Sequence, residues 1–262
     1  MGGACGSCPY LAAQDLNPAA HISILQLDLE NPHELARLSD PMLALQNREG
    51  LIIIDEIQWR PDLFPVIRVL ADRSSTRARF LVLGSASPHL LRQSSESLAG
   101  RIAYFELGGL TPDEVGPDQI ERLSRRGGFP RSFLAESERE ISEWRREFVR
   151  TFLERDLPQL GISIPALTVR RMWTMIAHSH GQIWNASTFS RSFGVADTTV
   201  RRYLDILTST FVARQLQPWH ENLRKRQVKS PKVYLADSGM LHTLLNLVEQ
   251  EDLEGHPQVG AS

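Results

Sequence analysis

At 262 residues the chain exceeds the size at which a single hydrophobic core stops growing, about 250 residues, so two or three modules are expected. Its 42% hydrophobic and 23% charged residues exclude a disordered or fibrous chain, and a net charge of -2 excludes binding of nucleic acid through overall positive charge. No apolar run approaches the roughly 18 to 20 residues of a bilayer span, and Met1–Leu16 lacks the basic start and apolar stretch of a leader, so a cytoplasmic protein without a membrane partner is expected.

Three short apolar runs, Ile22–Leu29, Leu51–Ile54 and Phe80–Leu83, each predict a strand. Continuous rather than alternating apolarity points to strands covered on both faces, as in a parallel sheet flanked by helices. Between the second and third, Leu63, Phe64, Ile67, Leu70 and Ala71 fall on one helical stripe, and Pro88–Leu98 reads as a further helix. Tyr104–Leu107 is a weaker candidate for one more strand. The second run ends in Asp55-Glu56. Ligands of open parallel sheets bind beyond the carboxyl ends of the strands, where paired carboxylates can hold Mg²⁺ and orient a water. The same two residues also fit a strand that simply ends in solvated carboxylates. Ser85, at the end of the third run, either places a hydroxyl beside that metal and water or belongs to a small-residue turn.

Ser137-Glu-Arg-Glu140 fits a capping box, and Ile141, Trp144, Phe148 and Phe152 behind it predict a long amphipathic helix to about Leu157. Gly127-Gly128-Phe129-Pro130 precedes it as a turn between helices. Leu167–His180 predicts another helix. Ser187–Phe193, Gly194-Val195-Ala196 and Asp197–Leu207 then read as helix, turn, helix, with Asp197 as N-cap and Val200, Tyr203, Leu204 and Leu207 on one apolar face. That face leaves Thr198, Thr199, Arg201 and Arg202 outward near the helix start, where a recognition helix meets DNA. Phe211–Leu216 and Lys232–Leu235 are candidate strands of a wing. Residues 199–232 hold eight Arg and Lys, among them Arg224, Lys225, Arg226 and Lys229, against Asp205 and Glu221, a local surplus suited to an anionic partner. The same module serves equally as a protein-packing unit. His178 and His180 lack a third metal ligand, Cys5 and Cys8 lack the context of a redox or zinc motif, and Trp219 reads as a packing residue.

The segments LIIIDEIQ, PDLF, FLVLGSASP, ESLAGR, RGGFPRSFLAES, FLERDLPQLG, AHSHGQIWN, TVRRYLDIL and PWHENLRKRQVKSPKVYLADSG together resemble a prokaryotic AAA-type ATPase family. Its members join a P-loop ATPase domain, a helical lid, a winged helix and a nuclease-like C-terminal domain of unknown function. The resemblance implies ATP and Mg²⁺ as cofactors, with Asp55 as the Walker B carboxylate on the metal and Glu56 orienting or deprotonating the attacking water. It further implies Ser85 as a sensor, Gly128 and Pro130 in a lid turn near the nucleotide, and Arg101 as a finger offered to a neighbouring subunit, hence a homo-oligomer. Departures accompany it. No G-x-x-x-x-G-K-[ST] occurs, and the first Lys is Lys225, so there is no phosphate-cradling loop. The expected fold is therefore α/β: a P-loop ATPase-like parallel sheet lacking its first strand, with the edge of Phe80–Leu83 open, then a helical lid and an all-α or α+β winged helix. Expected boundaries are 1–20 unassigned, 21–108 the partial ATPase core, 109–165 the lid, 166–245 the winged helix, and 246–262 the start of a further region, the chain being cut at both ends. Three functions are in view: an ATPase relative inactive as given and binding no cofactor tightly, a nonenzymatic DNA- or protein-binding module on an ATPase scaffold, or a fragment without activity of its own.

Overall fold

A computed structural model describes residues 23–73, 78–84, 88–219, 230–247, 252–253 and 255–256. They fall into two compact units that meet in the chain at Phe105 and Glu106.

The first unit is a parallel α/β layer. β1 (Ile24–Asp28), β2 (Gly50–Asp55) and β3 (Ala78–Val82) form a three-stranded sheet in that order, with β2 central. Ile52, Ile53 and Ile54 are all buried, so both faces of β2 are covered, as its unbroken apolarity requires. The β2–β3 crossover is α3 (Leu63–Ala71), which buries Leu63, Phe64, Ile67 and Leu70 against the sheet. α4 (Pro88–Ser97) follows β3. Two short helices join β1 to β2, α1 (Pro32–Arg37) and α2 (Pro41–Leu45). Each opens with a side-chain cap, Asn31 or Asp40, and a proline in the first turn. Among the described residues β3 pairs on one side only, with β2, and Phe80, Leu81 and Val82 are partly exposed there. Tyr104–Leu107 is not a strand: it joins no sheet among the described residues, and Phe105 is 90% exposed. An extended run without a partner gains no ladder hydrogen bonds, whatever its β propensity.

The second unit begins with short helices: α5 (Pro112–Val115), α6 (Ile120–Arg126) and α7 (Pro130–Phe133). α8 (Glu138–Thr151) has the expected capping box, in which Ser137 accepts from the Glu140 N–H and the Glu140 side chain accepts from the Ser137 N–H. It does not run unbroken to Leu157. The next turn is π-helical, Phe152–Asp156, and only then comes α9 (Leu157–Gln159). Pro158 lacks an N–H to continue a regular ladder, and the wider turn absorbs the defect. Phe129, Trp144, Phe148, Phe152 and Trp173 make a continuous aromatic row through this core.

α10 (Ala166–His178), α11 (Ala186–Phe193) and α12 (Asp197–Ser209) follow, then β4 (Ala213–Leu216) and β5 (Lys232–Leu235), which pair antiparallel. Residues 181–184 lie along the other edge of β5 through the Ile183–Lys232 bridge and the bonds Gly181 N–H to Val233 O and Trp184 N–H to Pro231 O, both 2.8 Å. α12 turns Val200, Leu204 and Leu207 into the core, as its spacing predicts. Its N-cap is Ala196, not Asp197. The Asp197 carboxylate instead accepts from Ser190 Oγ at 2.6 Å, which ties the start of α12 to α11. α13 (Ser238–Leu244) follows, capped by Asp237. Among the described residues no helix is long and apolar enough to cross a membrane.

Candidate functional site

Asp55 is the last residue of the central strand, and the chain then bends sharply. Glu56 takes φ 55° and ψ 44°, a left-handed conformation that costs an L-residue about 1 to 2 kcal/mol. Strain of this kind gathers at functional sites, because a straight continuation of the strand would aim the carboxylate elsewhere. Here Asp55 Oδ1 accepts the Glu56 N–H at 2.9 Å, and Gln58 Nε2 donates to Glu56 Oε2. Strand register adds a third acid, since Asp28 of β1 lies directly beside Asp55. Glu30 contributes a fourth charge that is felt at Glu56. Burial raises the pKa of Asp55, opposed by the Glu56 N–H and aided by Asp28. Burial also raises Glu56, opposed by Gln58 and aided by Asp55, Glu30 and Asp28. Among the described residues none of the four acids is in an ion pair, and no group of three or more His, Cys, Asp or Glu has metal-holding geometry. The sequence reading passed over Asp28, Glu30 and Gln58. Two acids ending adjacent parallel strands were the signal for Asp28.

Arg101 lies at the other end of the sheet. Its Nε donates to Asp72 Oδ1 at 2.5 Å and its Nη1 to Ala99 O at 2.9 Å. Asp72 caps the C-terminus of α3, and a crossover helix returns to the end where the next parallel strand begins. The six residues of β2, roughly 17 Å at ~3.3 Å per residue, therefore separate the Arg101–Asp72 pair from the Asp55–Glu56 end of the same subunit. Ser85 lies outside the described residues.

Gly128 and Pro130 belong to the second unit. Pro130 is the first residue of α7, where a missing N–H costs nothing. The Gly127-Gly128 turn is enclosed on two sides. Leu110 N–H donates to Gly128 O at 2.7 Å, and a Cβ on Gly128 would stand 2.9 Å from Leu110 backbone atoms. On the other side Asp237 Oδ2 accepts the Gly128 N–H at 2.7 Å, and a Cβ on Gly127, which has φ 69°, would meet the same carboxylate. Only glycine fits either place.

The candidate nucleic-acid residues that are described lie near one another in sequence on one helix. Thr198, Arg201 and Arg202 are exposed and Thr199 partly so, all in the first turns of α12. Neither arginine makes an ion pair among the described residues. Arg224, Lys225, Arg226 and Lys229 lie outside the described residues. Arg171 of α10 adds a cation that the sequence reading missed: it packs over the Phe193 ring at 4.9 Å and donates to Ser192 O at 2.6 Å.

Residues 117–251, slightly more than half of the chain, match the family described as a domain of unknown function (DUF8612). The chain belongs to that family. Residues 10–116 match an AAA domain, which agrees with the parallel sheet and makes the N-terminal part an AAA-type P-loop ATPase-like scaffold. Among curated proteins the chain is similar to an uncharacterized protein of Mycobacterium bovis and one of Mycobacterium tuberculosis, each 55% identical over 235 residues. Those matches cover 90% of this chain and 53% of either relative, so the chain spans about half the length of the curated relatives it matches.

Proposed function

We propose that residues 23–105 carry the water-activating half of an AAA-type site for hydrolysis of ATP to ADP and phosphate. The observation that supports this best is Glu56, a strained residue whose carboxylate is held by Gln58 at the end of the central strand, next to Asp55. The donor set suits Mg²⁺, because hard carboxylate oxygens bind it and because the charge of Asp28 adds to the raised pKa of Asp55, and those of Asp55, Glu30 and Asp28 to that of Glu56, with no cation among the described residues to offset them. Asp55 would hold the ion, which when bound neutralises charge on the phosphates. Glu56, with burial raising its proton affinity, orients the attacking water and takes its proton. The 262 residues contain no G-x-x-x-x-G-K-[ST], so this chain by itself binds nucleotide weakly and hydrolyses it negligibly. Turnover by the chain alone that Glu56→Gln abolishes would contradict that.

We propose further that Arg101, a sheet's length from its own Glu56, acts on another subunit's nucleotide. With a phosphate-binding strand and loop joined ahead of the chain, Arg101→Ala impairs hydrolysis more than nucleotide binding. Mixing Arg101→Ala with Glu56→Gln subunits recovers part of the activity. Absence of recovery rules out a finger in trans.

A second reading rests on α12. The order of α10, the bridge at Ile183, α11, α12, β4 and β5 supports a winged helix, and residues 166–232 hold eleven Arg and Lys against Asp197, Asp205 and Glu221. We propose that this surface contacts duplex DNA through Arg201 and Arg202, with Arg224, Lys225, Arg226 and Lys229 along the phosphates. Such contacts make log K fall with log salt by about 0.9 per phosphate neutralised. Binding to the whole chain at low salt, weakened by alanine at Arg201 and Arg202, supports this reading. No binding at low salt, or unchanged affinity in the variant, leaves the module a protein-packing unit.

A further inference from the structure

The second unit contains a charged cluster that neither reading uses. Asp237, between β5 and α13, accepts the Gly128 N–H through Oδ2 and, through Oδ1, the Met240 N–H at 2.8 Å. Arg145 of α8, only 7% exposed, is the opposing charge felt at Asp237, although the two form no ion pair. Its Nε donates to Ser132 Oγ at 2.9 Å and its Nη2 to Arg125 O at 3.2 Å, while Ser132 Oγ donates to Arg126 O at 2.6 Å. A Cβ on Gly239 would come within 2.7 Å of Arg145 Nη2, so the guanidinium packs directly on the backbone that follows Asp237. One carboxylate and one guanidinium thus join the glycine turn, α8 and the start of α13 across more than 100 residues of sequence.

We propose that Asp237 is a latch: its single carboxylate, seated on the Gly128 and Met240 N–H groups beside Arg145, fixes the Gly127-Gly128 turn to the β5–α13 corner so that the two move as one. A carboxylate has two oxygens, and here each serves a different segment, which a neutral side chain of the same shape cannot do because an amide offers one acceptor. The turn cannot slip past the latch either, since its other side is closed by Leu110. It follows that an anionic group approaching the turn finds the Gly128 N–H engaged, and obtains it only in exchange for Asp237.

The test is residue-resolved amide exchange on the whole chain. Asp237→Ala is expected to speed exchange at Gly128 and Met240 together by at least about tenfold, with Ile53 in the other unit unchanged. Added formate, which can enter the vacated seat as a carboxylate, is expected to slow both amides again where equal chloride does not. A merely space-filling Asp237 would give no formate response. The latch is overturned if Gly128 exchange is unchanged, if Gly128 and Met240 respond separately, or if formate restores neither. Should Asp237→Ala not fold, Asp237→Asn is measured in the same way: faster exchange at Gly128 or Met240 supports the latch, and wild-type protection at both overturns it.

Discussion

The Asp55–Glu56 end of the sheet and the Asp237–Arg145 cluster both contain carboxylates whose pKa burial raises, yet the two are resolved in opposite ways. Asp237 is answered by the Gly128 and Met240 N–H groups and a neighbouring guanidinium, and its surroundings are shaped so that only glycine fits. Asp55 and Glu56 instead face further acids, Asp28 and Glu30, across a backbone held in the left-handed region. A satisfied cluster stabilises one arrangement of the chain. One whose charges are not offset costs stability, and persists where it has a task that needs a cation or a proton acceptor.

That contrast breaks first at the satisfied cluster. Arg145→Met removes the guanidinium charge felt at Asp237 and the donors to Ser132 Oγ and Arg125 O, and leaving buried polar groups unanswered costs about 1 to 3 kcal/mol each. Denaturant unfolding followed in the second unit is expected to show the largest loss of all the variants named here. A loss under about 1 kcal/mol would mean that the guanidinium contributes little to the cluster.

The opposite sign is expected at Glu56. Glu56→Gly removes the backbone strain and one uncompensated charge, and is expected to stabilise the first unit by on the order of 1 kcal/mol while removing any activity. The pH dependence sharpens the point. Because the folded-state pKa values of Asp55 and Glu56 are raised, their contribution to stability is present below the ordinary carboxylate values and is lost as pH rises through the folded ones. Wild type should therefore lose stability over that window relative to the Asp55→Asn, Glu56→Gln double variant. Parallel curves for the two proteins would contradict the assignment.

The smallest effects belong to the exposed arginines. Arg201→Ala and Arg202→Ala are expected to leave stability within about 0.5 kcal/mol of wild type, with the change appearing in DNA affinity alone. Arg101→Ala, whose Asp72 pair is solvent-exposed, is expected to leave thermal unfolding unchanged.

Sequence reading found what local pattern encodes. The run Leu51–Ile54 with its acidic end, the Ser137–Glu140 capping box and the apolar face of α12 are each set by neighbours within one or two turns. It failed where the decisive partner is distant. Asp28 joins Asp55 only through strand register, and Asp237 meets Gly128 across 109 positions. Neither local propensity nor periodicity carries such information. Tyr104–Leu107 shows the converse, a run with strand composition that finds no partner among the described residues. The sequence reading missed the helices capped by Asn31 and Asp40, which are too short to register as apolar periodicity; Asn-Pro and Asp-Pro were the only signal for them.

The most direct measurement is steady-state ATP hydrolysis by the chain with a phosphate-binding strand and loop joined ahead of it, compared with the same protein carrying Glu56→Gln. The account predicts Mg²⁺-dependent turnover in the first and its loss in the second with nucleotide binding retained. Turnover that survives Glu56→Gln would show that the strained carboxylate at the end of β2 is not the group that activates water.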